Sequence, residues 1–261
     1  MVGDEVELFT IHPVCAKRWL QFGMDLDVLL FGAHPDDVEW GAGGTALLMK
    51  QQGLRFAFVD LTAGEMGSRG TPEERNVEAK AAADFVGAET RETMPLPDCG
   101  LVDAPETRRL IASVIRRYKP RVVMAPYWED RHPDHAAAGA MVRNSALFCT
   151  LRKLDDANPP HKPDLFLYYL LHNFEKPSIV TDISAVYKRK LELLRLHETQ
   201  FSKTAEQYGL VPQGVNDYLY GLESRDRFFG SLIGCRHGEA FVFDRPLPIN
   251  DFSHLLPGLR R

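Results

Sequence analysis

The run Gly32-Ala33-His34-Pro35-Asp36-Asp37-Val38-Glu39 puts a histidine and two adjacent aspartates on one proline turn. His34 and Asp37, three residues apart around that turn, can both reach one metal ion, which leaves Asp36 beside the ion without being needed as a ligand. Taken alone the turn is also ordinary, because Asp and Pro are favoured in turns of any kind. A second run, Glu129-Asp130-Arg131-His132-Pro133-Asp134-His135, gathers the same residue types. Histidine and carboxylate donors suit zinc, and three protein donors with a water in the fourth position describe a catalytic rather than a structural site. Two such turns facing each other across a crevice would assemble one.

Both turns follow short apolar runs that can carry them. Leu26 to Gly32, Arg55 to Leu61 and Arg121 to Pro126 read as buried parallel strands, rich in branched residues. Between them the pattern predicts helices over Gly43 to Gln52, stopped by Gly53, and from Thr71-Pro72-Glu73-Glu74 to about Val86, ended by Gly87. Further helices are predicted over Pro105 to Tyr118 and from Asp134 to about Leu151. Alternation of strands with helices implies βαβ units, hence an α/β, Rossmann-like, mostly parallel sheet with helices on both faces. Open sheets of this kind bind ligands outside the carboxyl ends of their strands, where both turns fall. The last third is less regular: strands are predicted at Phe166 to Leu171 and Ile179 to Asp182, helices at Ala185 to His197 and Asp217 to Ile233. With no internal repeat, the chain reads as one domain over 24–261 preceded by an extension of 1–23.

Composition narrows the function class. The chain has 261 residues, 31 Lys+Arg against 36 Asp+Glu, and a formal net charge of −5, which argues against a nucleic-acid footprint. No apolar stretch approaches the roughly 18 residues needed to cross a bilayer. Cys15, Cys99, Cys149 and Cys235 are scattered, without a paired motif, as expected of reduced thiols in a cytoplasmic protein.

The motifs AHPDD and HPDH, each following a strand, resemble those of the LmbE/PIG-L family of zinc-dependent N-acetylglucosamine deacetylases. Similar stretches run through FGAHPDDVEWGAGGT (Phe31 to Thr45), VDLTAGEMGSRGTPEERNVEA (Val59 to Ala79), the DRHPDH run and RFFGSLIGCRHGEAF (Arg227 to Phe241). The resemblance is nearest to the bacillithiol-pathway branch, which acts on N-acetylglucosaminyl-malate, and it covers roughly Met24 to the end. It implies His34, Asp37 and His135 as ligands of one zinc ion per subunit. It also implies Asp36 as the general base, His132 as the histidine assisting at the substrate carbonyl, Asp134 as the carboxylate orienting His132, and Arg75 as a partner of sugar hydroxyls. Relatives form homo-oligomers, trimeric or hexameric, and the expected partner is a small-molecule GlcNAc conjugate, with neither nucleic acid nor membrane.

The chemistry of these residue types agrees. A cation lowers the pKa of a water and polarises an amide oxygen. A neighbouring Asp134 would favour the imidazolium form of His132, suited to a developing oxyanion. The loop Gly64 to Gly70 lacks a phosphate-loop ending and reads either as a flexible surface turn or as a lid whose backbone approaches the sugar, with Arg69 or Arg75 facing it. Arg131, adjacent to the second motif, is the candidate to bind a malate aglycone, since arginine pairs bidentately with carboxylates. The cluster Gly41-Ala42-Gly43-Gly44 is expected to let a helix start close to the site. Cys99, Cys235, Phe228, Phe229, Tyr218 and Tyr220 are expected in structural roles, and His237 replaces a family tyrosine with its role open. The alternatives are the same chemistry on GlcNAc-inositol or a chitooligosaccharide, a metal-dependent phosphoesterase, which would call for a second metal and more carboxylates, and a non-catalytic metal-binding protein.

Overall fold

A computed structural model describes residues 25–154, 156–201 and 215–247, with 215–217 described in backbone only. The strands are β1 (Val28–Gly32), β2 (Phe56–Asp60), β3 (Thr90–Thr93), β4 (Val122–Pro126), β5 (Leu165–Tyr169), β6 (Ile179–Asp182) and β7 (Gly238–Phe243). The helices are α1 (Asp37–Gln51), α2 (Pro72–Val86), α3 (Pro105–Tyr118), α4 (Pro133–Phe148), α5 (Tyr187–Arg195), the short α6 (Glu198–Phe201) and α7 (Val215–Leu232). They build one seven-stranded sheet of order β3-β2-β1-β4-β5-β7-β6, parallel from β3 to β5, with β7 antiparallel to both its neighbours. The Rossmann-like α/β expectation therefore holds, with a mixed edge added.

Each central strand is buried on both faces and alternates its side chains between two cores. Leu29, Phe31, Ala57, Val59, Val123 and Ala125 pack with α3 and α4 on one face. Val28, Leu30, Phe56, Phe58 and Met124 pack with α1, α2 and α5 on the other. The chain leaves β1 toward β2 and β3, then returns to β4 on the other side of β1. That reversal opens a crevice at the carboxyl ends of β1 and β4.

The terminus of α2 is as expected. Thr71 Oγ1 accepts the Glu74 N–H, Glu74 Oε2 accepts the Thr71 N–H, and Gly87 closes the helix at φ 76°. Helix α1 departs from expectation. It begins at Asp37, not Gly43, although glycines 41, 43 and 44 disfavour helix. Packing decides the matter: a Cβ at residue 41 would lie 2.2 Å from the Tyr169 ring, and one at residue 44 would lie 2.8 Å from Ile183. The glycines thus let the first turns of α1, which start at the cavity, pack against β5 and the segment before α5. Where propensity puts the helix start, Glu239 accepts the N–H groups of Gly44 and Thr45 at 2.8 and 2.7 Å. Sequence patterning also missed β3, a charged edge strand, and β7. Among the described residues no helix is long and apolar enough to cross a membrane.

Candidate metal centre and its cavity

Every parallel strand delivers residues from its carboxyl end into one cavity of about 430 Å³. His34, Asp36 and Asp37 follow β1; Gly67, Ser68 and Arg69 follow β2; Asp98 and Cys99 follow β3; His132 and His135 follow β4; Leu171 and His172 follow β5. Trp40, Phe201 and Tyr218 make an aromatic wall, with Trp40 and Phe201 stacked at 5.7 Å between ring centres.

The turn after β1 is held by its own carboxylate. Asp37 Oδ2 accepts the N–H groups of Ala33 and His34 at 2.9 and 3.0 Å, which leaves Oδ1 to face His135 Nε2 at 3.1 Å. Donor atoms of His34, Asp37 and His135 lie within 4.8 Å of one another, and all three residues are buried. Asp36, immediately before α1, has φ 117°, a left-handed conformation that costs a non-glycine residue about 1–3 kcal/mol. Its Oδ1 lies 3.6 Å from Arg75 Nη2. Arg75 is buried and donates to the Gly64 and Pro35 carbonyls at 3.1 and 2.8 Å. A Cβ at residue 64 would lie 1.9 Å from Arg75, so the start of the loop after β2 packs directly on this guanidinium.

The site carries more acid than the protein itself balances. Burial works against a charged His34, yet hydrogen bonds to Asp37 and Asp98 push its pKa up to about 11. Burial likewise opposes His135, but Asp37 and Asp130 push it up to about 9. Burial would raise Asp37, and the charge and hydrogen bond of His135 overcome it and hold the carboxyl well below the usual range. Burial raises Asp36, opposed first by Arg75. Protons on two imidazoles thus stand in for positive charge where carboxylates converge. A buried, acid-rich pair of histidines with a carboxylate is a donor set that fits a divalent cation with an open position.

Several expected contacts differ. The Asp134 carboxylate does not meet His132: its Oδ2 accepts the Cys99 N–H at 2.7 Å and lies 3.4 Å from His34 Nε2. It is the Asp134 backbone N–H that donates to His132 Nδ1, at 3.3 Å, because His132 precedes α4 as its cap. His132 is lowered, not raised, by burial and then by the charges of His135 and His34 around it. Arg131 is exposed and is not among the residues lining the cavity, whereas Arg69 lines it and donates to the Gln200 carbonyl at 3.2 Å. Cys99 lines the cavity and Tyr218 joins its aromatic wall. Phe229 is buried while Phe228 and Tyr220 are exposed. His237 stacks on Tyr187 with ring centres 3.6 Å apart and is not among the lining residues. Cys15 and the extension lie outside the described residues. Sequence reasoning gave no role to Asp98, Asp130 or His172; the first follows the unpredicted β3, and Asp130 stood inside the second motif unremarked.

Comparison with known proteins decides the family. The PIG-L model, described as GlcNAc-PI de-N-acetylase, matches residues 29–146, spanning both metal motifs. The chain belongs to the PIG-L family. The conserved protein TT1542 from Thermus thermophilus is 36% identical, superposes with a TM-score of 0.77, and the match covers 87% of this chain and 99% of that one. Diacetylchitobiose deacetylase of Thermococcus kodakarensis is 29% identical over 88% of each chain. A probable N-acetyl-alpha-D-glucosaminyl L-malate deacetylase 2 of Bacillus anthracis is 28% identical over 75% of this chain and 91% of its own.

Proposed function

We propose that this PIG-L protein is a metal-dependent hydrolase that removes the acetyl group from the amide nitrogen of an N-acetylglucosamine conjugate. The observation that carries the reading is the gathering of His34, Asp37 and His135 donor atoms within 4.8 Å, on the wall of a cavity that Asp36 also lines. A zinc ion held by those three residues would polarise the acetyl carbonyl and make water a better nucleophile. Asp36 takes a proton from the attacking water as the new carbon–oxygen bond forms, and returns it to the amine as the carbon–nitrogen bond breaks. Acetate and the free amine leave. Arg75 fixes Asp36 from the side, and His132 supplies hydrogen bonding to the carbonyl oxygen. Asp134 has the separate duty of holding the Cys99 turn and His34.

Two aglycones compete. N-acetylglucosaminyl-malate is the first, with Arg69, which lines the cavity, as its carboxylate partner in place of the exposed Arg131. A second sugar ring is the alternative, favoured by the wall of Trp40, Phe201 and Tyr218, since aromatic side chains offer apolar area to a pyranose face. Amine release from N-acetylglucosaminyl-malate, diacetylchitobiose and free N-acetylglucosamine, with zinc-loaded and chelated protein, tests both. Zinc-dependent release supports the deacetylase reading, and the better conjugate names the aglycone. No release from any of the three, with the cation bound, contradicts it.

A further inference from the structure

Each histidine read above as a ligand is met from behind by a carboxylate. His34 Nε2 lies 3.0 Å from Asp98 Oδ1, and His135 Nδ1 lies 3.2 Å from Asp130 Oδ1. Toward Asp37 each ring turns its other nitrogen: His34 Nδ1 is 3.6 Å from Oδ2, and His135 Nε2 is 3.1 Å from Oδ1. A neutral imidazole that donates its N–H on one side offers a lone pair only on the other. We propose that Asp98 and Asp130 are a matched pair of positioning residues, fixing His34 as an Nδ1 donor and His135 as an Nε2 donor to a single divalent cation at Asp37. The proposal rests on the ligand set of the preceding subsection and adds which atoms bind and what holds them.

Both carboxylates are themselves anchored. Asp98 accepts the N–H groups of Met66 and Cys99, each at 2.8 Å, and its own N–H donates to Glu65 at 2.7 Å. Asp130 accepts the N–H groups of His132 and His172 at 2.8 and 3.1 Å. Their side chains are only 4% and 2% exposed. Asp98 thereby ties the loop after β2 to His34. Asp130 ties His172 to His135: His172 Nδ1 is 3.1 Å from Asp130 Oδ1, and the two rings stack at 5.2 Å with planes 2° apart.

The alternative is that the carboxylates are ligands of further cations. Asp130 with His135 and His172, and Asp98 with His34 and Asp134, also gather donors within 4.8 Å. Each of those groups, however, borrows a histidine from the Asp37 centre and uses its opposite nitrogen. Filling either one would leave that centre without a lone pair from the shared ring. The backbone N–H groups already directed at Asp98 and Asp130 suit an orienting carboxylate, which accepts hydrogen bonds on several sides.

The test measures metal and does not depend on turnover. In Asp98→Ala and Asp130→Ala, zinc affinity measured by chelator competition is expected to fall about 10- to 100-fold, with an altered visible spectrum of the cobalt-loaded protein. Affinities within about twofold of wild type would overturn the proposal. Should either variant fold poorly, histidine nitrogen NMR of zinc-loaded wild type gives the answer independently. Zinc bound through His34 Nδ1 and His135 Nε2 supports it; binding through His34 Nε2 or His135 Nδ1 overturns it. Expected metal binding without acetate release would contradict the deacetylase reading alone. Wild-type protein that takes up no metal would overturn both.

Discussion

At the start of α1, Asp36 and Asp37 border a cavity; one turn later Glu39 enters a closed set of charges. Arg91 pairs with Glu39 and bidentately with Asp60, and His197 lies 3.1 Å from Glu39, all of it buried. Further along, Lys190 sits 2.7 Å from both Asp226 and Glu239, and Arg225 adds Asp226 and the carbonyls of Trp40, Leu170 and Leu171. In that second set Lys190 and Arg225 balance Asp226 and Glu239 in charge. At the cavity, by contrast, Asp36, Asp37 and Asp98 line the wall with Asp130 and Asp134 behind it, and beyond Arg75 they face His34 and His135, whose pKa values these carboxylates raise. Both regions are buried and polar. What distinguishes a site is charge left to an exchangeable partner, together with access for that partner.

The two regions would not differ in kind if the cavity needed no cation. His135→Ala is expected to lose the metal and bring turnover to background, read by elemental analysis and acetate release; a full complement of metal in the variant would remove His135 as a ligand. Next, Asp36→Asn should keep the metal while kcat falls by about 10²- to 10⁴-fold, the usual worth of a positioned base. Turnover near that of wild type would take the role from Asp36. On the closed side, Lys190→Met removes the ammonium shared by two buried carboxylates, leaving Asp226 to Arg225 and Glu239 to the Gly44 and Thr45 N–H groups, and should cost about 3–5 kcal/mol in denaturant unfolding. A change below about 1 kcal/mol would mean that water reaches this network. Smallest is Gly41→Ala, where the new methyl meets the Tyr169 ring; a loss of about 1–3 kcal/mol is expected, seen as a lower Tm.

Much of the cavity was legible because its chemistry is local. His34 to Asp37 and Asp130 to His135 are short runs at the ends of strands with strong apolar patterns, and β1, β2 and β4 lie within a residue or two of expectation. What patterning missed depends on distance. Asp98 is 64 residues from His34 in sequence and follows β3, whose Thr90-Arg91-Glu92-Thr93 has no apolar signal because it forms an edge. His172 reaches Asp130 from 42 residues away. The orientation of Asp134 was misjudged for the same reason: its neighbour in sequence is His132, but its carboxylate is claimed by Cys99 across the crevice. The start of α1 was missed because helix propensity penalises glycines that the packing against Tyr169 and Ile183 requires.

The unbalanced acid at the carboxyl ends of β1 and β4 is expected to hold one divalent cation that the reaction needs. The decisive experiment titrates metal-stripped wild-type protein with zinc and follows acetate release from the better GlcNAc conjugate at each step. Release is expected to start from background, rise with added zinc and saturate at one equivalent per chain. Full activity in the stripped protein, or a requirement for two equivalents, would contradict it.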